Sequence, residues 1–296
     1  MLNPGSKRPY CGQVPPKTLV FGCGYLGSRV VNRALAEGHE VWATTRNMAK
    51  AQSLRRLGVE PIQADWTDRR TLEDLPDMDQ LLVSVSFDPR GQSSRWEAQV
   101  GGLRNLIERI PKHTSICYIS TTGVYHQTGG QWVDESSPTN PSRIGARVHL
   151  VAENLLHRFR PESAWTILRL SGIYGPGRIP RLADLRAGRP VASPSHGYLN
   201  LIHVDDAANA VLASWTRAKE RVYLVSDDQP VVRRDFYRHV AKELGAADPT
   251  FVDPGHDASA RMRSESNKRI WNRRMKRDLV PRLLFPSFRE GLSRLI

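Results

Sequence analysis

Glycines at 22, 24 and 27 constrain this chain more than any other feature. They lie in Gly22-Cys23-Gly24-Tyr25-Leu26-Gly27, directly behind the apolar run Thr18-Leu19-Val20-Phe21. The same residues open a segment, 25–36, whose apolar side chains recur at helical spacing up to Gly38. A strand, a glycine turn and a helix in immediate succession form the start of a dinucleotide-binding βαβ unit. Gly22 permits the tight turn, Gly24 lets the main chain approach a pyrophosphate, and Gly27 lets helix and strand pack closely. The N–H groups at Tyr25 and Leu26, in the first turn of the helix, then face the anion. The plain alternative is a glycine-rich turn without a ligand.

The alternation continues. Short apolar runs at 41–44, 59–64, 81–85, 116–119 and 166–170 read as strands, and 100–110 and 145–159 as helices. Strands alternating with helices imply right-handed crossovers and a mostly parallel sheet. The expected fold is therefore α/β, a Rossmann-type doubly wound parallel sheet with a smaller C-terminal substrate lobe. Residues 1–16, rich in Pro and Gly and without apolar periodicity, are expected to be a disordered extension. Residues 17–170 would form the NAD(P)-binding domain. Residues 171–296 would form the substrate lobe, interleaved with the last strands of the main sheet: a helix over 205–215, a strand over 221–225 and a helix over 232–244. Asp205 and Asp206, between strand and helix, read as N-caps, and His203 as a core residue.

Composition excludes several classes. The 296 residues are 40% hydrophobic and 25% charged, ordinary for a globular chain. No apolar run approaches the ~18 residues of a membrane span, and no secretory signal is legible, so no membrane partner is expected. Cys11, Cys23 and Cys117 lie far apart, which excludes a disulfide scaffold and fits the reducing cytoplasm. There is no HExxH or other metal-ligand spacing, so no metal is expected, and no GxSxG elbow. Lys and Arg exceed Asp and Glu by 43 − 30 = 13. Much of that excess sits at Arg261, Arg263, Lys268, Arg269, Arg273, Arg274, Lys276 and Arg277, with no nucleic-acid-binding motif around it. A solvated basic face is expected there rather than a nucleic-acid site.

The second strand bears on the choice of dinucleotide. An NAD site places a carboxylate about 20 residues past the glycines to bind the ribose 2′-OH. Thr45 and Arg46 stand there, and no acid follows until Glu60. Arg46 can take a 2′-phosphate bidentately, so NADP is expected as cofactor, with NAD second; a surface arginine opening a helix is the alternative.

With these residues in place, the chain resembles the short-chain dehydrogenase/reductase superfamily, in its extended branch of nucleotide-sugar epimerases and dehydratases. Ala64-Asp65-Trp66-Thr67-Asp68 is similar to the family's segment after the third strand, where the resemblance implies that Asp65 contacts the adenine with Trp66 beside it. Tyr118-Ile119-Ser120-Thr121-Thr122-Gly123-Val124-Tyr125 is similar to its Ser/Thr-rich run. Arg169-Leu170-Ser171-Gly172-Ile173-Tyr174-Gly175-Pro176-Gly177, Leu201-Ile202-His203-Val204-Asp205-Asp206-Ala207 and Pro286-Ser287-Phe288-Arg289-Glu290-Gly291-Leu292 follow in the family's order, so the likeness covers 17–296. It also implies a structural role for the C-terminal basic run, a small-molecule substrate such as a nucleotide-sugar, and a homodimer.

The family's working pair is YxxxK at the head of the long helix, the tyrosine acting as acid/base and the lysine tuning it. No tyrosine here is followed by lysine four residues later. Counting back from Glu153 puts His149 at the lysine position and Gly145 at the tyrosine position. The chain thus resembles atypical extended members that lack the standard active site. Thr121 keeps the family's Ser/Thr position and can polarise a substrate oxygen, but a hydroxyl cannot deprotonate a carbinol near neutral pH. His149, with a reference pKa of about 6.5, can act as acid/base or simply pack under the cofactor. Arg143 and Arg147 flank the gap and can bind a phosphate instead. The expected function is that of an NAD(P)-binding protein of the nucleotide-sugar epimerase/dehydratase type, a divergent oxidoreductase or epimerase on a hydroxyl or carbonyl compound. The alternative is a non-catalytic dinucleotide-binding sensor or scaffold.

Overall fold

A computed structural model describes residues 14–253, 255 and 266–295. Residues 1–13 of the expected extension, and Arg261 and Arg263 of the basic run, lie outside them. The chain divides into two compact units, one of Met1–Tyr118 with Leu155–Trp165, the other of Ile119–Asn154 with Thr166–Ile296.

The first unit begins with β1 (Lys17–Phe21), α1 (Tyr25–Ala36), β2 (Glu40–Thr45), α2 (Met48–Arg56), β3 (Glu60–Gln63) and β4 (Gln80–Val83). Then come α3 (Gly102–Arg109) and β5 (Ser115–Thr121), whose last residues pass into the second unit. The second unit continues through β6 (Gln131–Val133), α4 (Ile144–Phe159, of which the part from Leu155 on belongs to the first unit), β7 (Trp165–Leu170, of which Trp165 belongs to the first unit), β8 (Gly172–Tyr174) and α5 (Leu182–Arg186). Next are β9 (Val191–Ala192), β10 (Tyr198–Leu199), β11 (Leu201–His203), α6 (Val204–Arg217) and β12 (Val222–Val225). Last come β13 (Val231–Val232), α7 (Arg233–Glu243), β14 (Phe251–Val252) and β15 (Lys268–Ile270).

The central sheet has seven strands in the order β12-β7-β5-β4-β1-β2-β3. Parallel registers join β1 to both β2 and β4, β2 to β3, β4 to β5, and β7 to β12. The doubly wound α/β sheet is thus present. The chain runs outward from β1 to β3, then returns to lay β4 on the other side of β1. That reversal is a topological switch point, and it opens a crevice beyond the carboxyl ends of β1 and β4.

Local chemistry explains these elements. Leu19 and Val20 in β1 are fully buried, as a central strand covered on both faces requires. The helix α1 buries Leu26, Val30, Val31 and Ala34 along one face. It stops at Gly38, whose φ of 85° accommodates the left-handed turn while Gly38 N–H and His39 N–H donate to the carbonyls of Leu35 and Ala34. The expected helix at 100–110 is α3 preceded by a π turn over Glu97–Gly101. Its C-terminal carbonyls, on Ile107, Ile110 and Pro111, accept from the buried guanidinium of Arg160.

One sequence expectation is corrected in the second unit. The cap of α6 is His203, whose Nδ1 accepts from Asp205 N–H at 3.2 Å. Asp206 is instead fully buried and accepts the amides of Leu284 and Phe285 at 2.8 and 2.9 Å. The cause is register: the helix begins at Val204, one residue early, so the aspartates fall inside its first turn. The described part of the C-terminal basic run is largely tied to the fold. Lys276 pairs with Asp228 at 2.7 Å and Arg274 with Glu135 at 3.6 Å, while Arg273 stacks over Trp271.

Candidate active site

The glycine turn is built as its spacing requires. Gly22 has φ +95°, and a Cβ there would lie 2.8 Å from the main chain of Ser84 and Val85. Its N–H donates to Thr44 Oγ1 at 3.0 Å, and its carbonyl accepts from Ser84 Oγ at 2.7 Å. A Cβ at Gly27 would collide with the Gly22 carbonyl, so only glycine lets α1 lie this close to the turn. At Gly24 a Cβ would meet nothing within 4 Å. Gly24 is also the N-cap of α1, and no side chain caps that end. Space and an uncapped helix start are what a pyrophosphate needs.

This turn forms one wall of a cleft of about 520 Å³ within the first unit. Gly22, Gly24, Arg46, Asp65 and Trp66 line it, as do Cys23, Thr44, Lys50, Ser84 and Asp88. Arg46, just past β2, is exposed; its Nη1 lies 3.4 Å from Asp65 Oδ2 and its Nη2 3.9 Å from Asp88 Oδ2. Burial would raise the Asp65 carboxyl, but hydrogen bonds from the Thr67 hydroxyl and amide and the charge of Arg46 outweigh it and hold Asp65 below the usual carboxylate range. Trp66 is buried, stacked on Phe21 with centroids 6.0 Å apart, and its ring fills the space that a Cβ at Gly102 would take. Tyr25, Leu26 and Gly27 do not line the cleft; Leu26 and Gly27 are buried and Tyr25 half-buried. Lys50 is a residue that the sequence reading missed. Its ammonium donates to the Cys23 carbonyl, which puts a second cation on the wall that carries Arg46. The signal was the spacing Arg46-x-x-x-Lys50, one helical turn behind the cap residue Asn47.

Thr121 and His149 both belong to the second unit. Thr121 ends β5, and its Oγ1 accepts from Gly123 N–H at 3.0 Å, which leaves the hydroxyl proton to donate elsewhere. A Cβ on Gly123 would run into the guanidinium of Arg143, so Arg143 lies over the same turn that Thr121 caps. His149 is half-buried on α4, a turn beyond Gly145. Behind them is a buried polar network. Arg169 meets Glu153 through Nη2–Oε2 at 2.6 Å and Nε–Oε1 at 3.1 Å, and Ser120 Oγ donates to Glu153 Oε1. Arg169 also donates to the hydroxyl of Tyr125. Burial pushes the Tyr125 phenol up to about 12 despite the Arg169 charge, so the phenol keeps its proton near neutral pH.

A model of the family described as NAD dependent epimerase/dehydratase matches residues 18–226. The chain belongs to that family. Protein YeeZ of Escherichia coli K12 is similar, 28% identical in a 246-residue alignment that covers 79% of this chain and 86% of that one. A functionally unknown conserved protein from Silicibacter pomeroyi has a solved structure with 32% identity and a TM-score of 0.75, covering 95% of this chain and 98% of its own. UDP-glucose 4-epimerase from Thermotoga maritima, at 17% identity and a TM-score of 0.77 over 94% of this chain and 96% of its own, shares the fold. Among the described residues of this epimerase/dehydratase-family chain, no helix is long and apolar enough to cross a membrane.

Proposed function

We propose that the chain binds NADP in the cleft of its first unit and acts as an oxidoreductase or epimerase on a small hydroxyl or carbonyl compound, without the usual tyrosine–lysine pair. The observation that carries the reading is the cleft itself. Gly22 and Gly27 occupy places where any side chain would collide, Gly24 faces open space, and Arg46 and Lys50 are the cations beside it. When bound, the nicotinamide accepts or supplies a hydride. The chain's own groups do the rest. Arg46 and Lys50 bind the 2′-phosphate, Asp65 accepts from the adenine amino group, and the amides at Tyr25 and Leu26 face the pyrophosphate. Thr121 donates a hydrogen bond to the substrate oxygen, and His149 takes or returns its proton. A nucleotide-sugar is one such substrate. Buried thiols at Cys23 and Cys117 fit the reducing cytoplasm.

One observation favours a second reading. Gly145 and His149 stand where the family has tyrosine and lysine, which suits a dinucleotide sensor with no turnover.

Calorimetric titration with NADPH and NADH tests the cleft, with Gly24→Val as control. The variant should fold normally, since a side chain there meets only open space, and should lose NADPH binding. Retained binding would put the ligand elsewhere. Oxidation of NADPH by a panel of carbonyl compounds, reduced at least tenfold in kcat by His149→Ala with cofactor affinity intact, separates the enzyme from the sensor.

A further inference from the structure

The second unit holds a cavity of about 490 Å³, within the roughly 300–1,000 Å³ of small-molecule sites. Asp235, Arg238, His239 and Lys242 recur at helical spacing, so one face of α7 forms a wall of it, and Asp248 and Arg289 also line it. None of the six lines the dinucleotide cleft, and none is among the reaction residues Thr121 and His149. The charges on this wall are unevenly matched. Asp235 lies 3.5 Å from the neighbouring Arg234, and Asp248 lies 3.3 Å from Arg238. Lys242 and Arg289 pair with no carboxylate among the described residues. Glu290, next to Arg289, is already taken: its Oε2 accepts the amide of Ser287 at 3.0 Å and the Ser287 hydroxyl as well. Lys242, in the last turn of α7, suits the negative end of the helix dipole. That accounts for a lysine there, but not for the arginine brought to the same cavity.

Arg289 is also held in place. Its guanidinium lies 4.9 Å from the ring centroid of Phe288, which is buried, and its Nη1 donates to His239 Nδ1 at 3.1 Å. His239 in turn meets Phe288 edge-on, with centroids 5.2 Å apart. An arginine only donates, so Nδ1 of His239 is bare and its ring proton sits on Nε2. Burial first, and then the charge of Arg289, lower the His239 imidazolium, in keeping with a neutral ring. Glu243 Oε1 stands 4.0 Å from that Nε2, beyond hydrogen-bond reach. The Nε and Nη2 groups of Arg289 make no hydrogen bond among the described residues. A guanidinium fixed on a buried ring, with donors left over and an unpaired ammonium lining the same cavity, is suited to a phosphate.

We infer that this cavity is a second ligand site, which takes the phosphate group of a small phosphomonoester between Arg289 and Lys242. A phosphate carries close to two charges and three acceptor oxygens, which match two cations and the Nε2–H of His239. A carboxylate, with one charge, answers only one of the two cations. Asp235 and Asp248, also lining the cavity, are acceptors for hydroxyl groups on the rest of the ligand. The site stands whether or not the first unit binds a dinucleotide.

The test follows the imidazole signal of His239 by NMR in the full chain, identified by its loss in His239→Gln. Glycerol 3-phosphate, inorganic phosphate and acetate are titrated in turn. Glycerol 3-phosphate should move the signal saturably, and more tightly than acetate. Lys242→Met and Arg289→Met should each weaken it about tenfold or more, as the loss of one charge-assisted contact implies. Both positions are exposed, so the variants should keep the parent's circular dichroism, and each makes the comparison independently. A signal that glycerol 3-phosphate leaves unmoved, or affinities within twofold of the parent in both variants, would overturn the site. Acetate bound as tightly as glycerol 3-phosphate would overturn its assignment to a phosphate. Inorganic phosphate bound as tightly as glycerol 3-phosphate would overturn the part given to Asp235 and Asp248. Failure of NADPH to bind, with these differences intact, would overturn the dinucleotide reading alone.

Discussion

Arg46 Nη1 lies 3.4 Å from Asp65 Oδ2, so the cation expected to hold a 2′-phosphate and the carboxylate expected to meet the adenine touch each other at the mouth of the cleft. Their side chains are 64% and 34% exposed, and a pair so open to water is worth at most about 1 kcal/mol. Arg46 can therefore exchange Asp65 for a phosphate at little cost, while Asp65 keeps its bonds from Thr67.

The first consequence is a cofactor preference. A charge-assisted contact to phosphate contributes roughly 1.5–3 kcal/mol, so NADPH should bind about ten- to a hundredfold more tightly than NADH. Arg46→Asp should reverse the order. Lys50→Met should weaken NADPH binding and leave NADH nearly unchanged. Equal affinity of the unmutated protein for both dinucleotides would sink the NADP assignment.

A second prediction concerns Glu153 and Arg169, whose side chains are 4% and 8% exposed. Removing one member of a buried bidentate pair leaves the other charge stranded, which costs about 3–5 kcal/mol. Arg169→Met should lower the urea midpoint accordingly, since Ser120 alone cannot neutralise the carboxylate. Arg169→Met combined with Glu153→Leu should recover most of the loss, because the unpaired charge is gone. A single variant costing less than about 1 kcal/mol would show that water reaches the pair.

How legible this was depended on the size of the element. The run 18–21 and the helix over 25–36 were readable because burial on both faces leaves an unbroken apolar run, and the helix has a full amphipathic period. The helix α2 was not, since only Ala51 and Leu54 are buried along its nine residues and the period has nothing to repeat. The paired strands β6–β15, β8–β11, β9–β14 and β10–β13 are two or three residues long, shorter than any pattern of alternation can show. The positions of Gly22, Gly24 and Arg46 on the cleft wall were legible because each answers a local demand of turn or strand end. Lys50 and Lys268 were hidden for a different reason. A lysine declares its role only through what surrounds it, and Lys268 reads in the sequence as one of several cations in a basic run.

That hidden lysine gives the last prediction. Burial first, and then Arg143 and Arg233, lower the Lys268 ammonium from 10.5 to about 8 in the folded chain. In the unfolded chain it keeps its proton up to its ordinary value. Between those two values the unfolded state binds one more proton than the folded state, so this group makes stability rise with pH. Below about pH 8 both states hold the proton and the burden on the fold is complete. The gain between pH 8 and pH 10 should be about 2 kcal/mol at most, at 1.36 kcal/mol per unit. Buried tyrosines such as Tyr125, whose phenol is raised to about 12, act in the opposite direction above pH 10, so the window closes there. Urea denaturation of the parent and of Lys268→Met across this window isolates the lysine, because every other group is common to both. The parent's stability should climb relative to the variant's as pH rises from 8 to 10. Parallel curves would mean that Lys268 titrates as an exposed lysine does, with its ammonium already matched by an anion or reached by water.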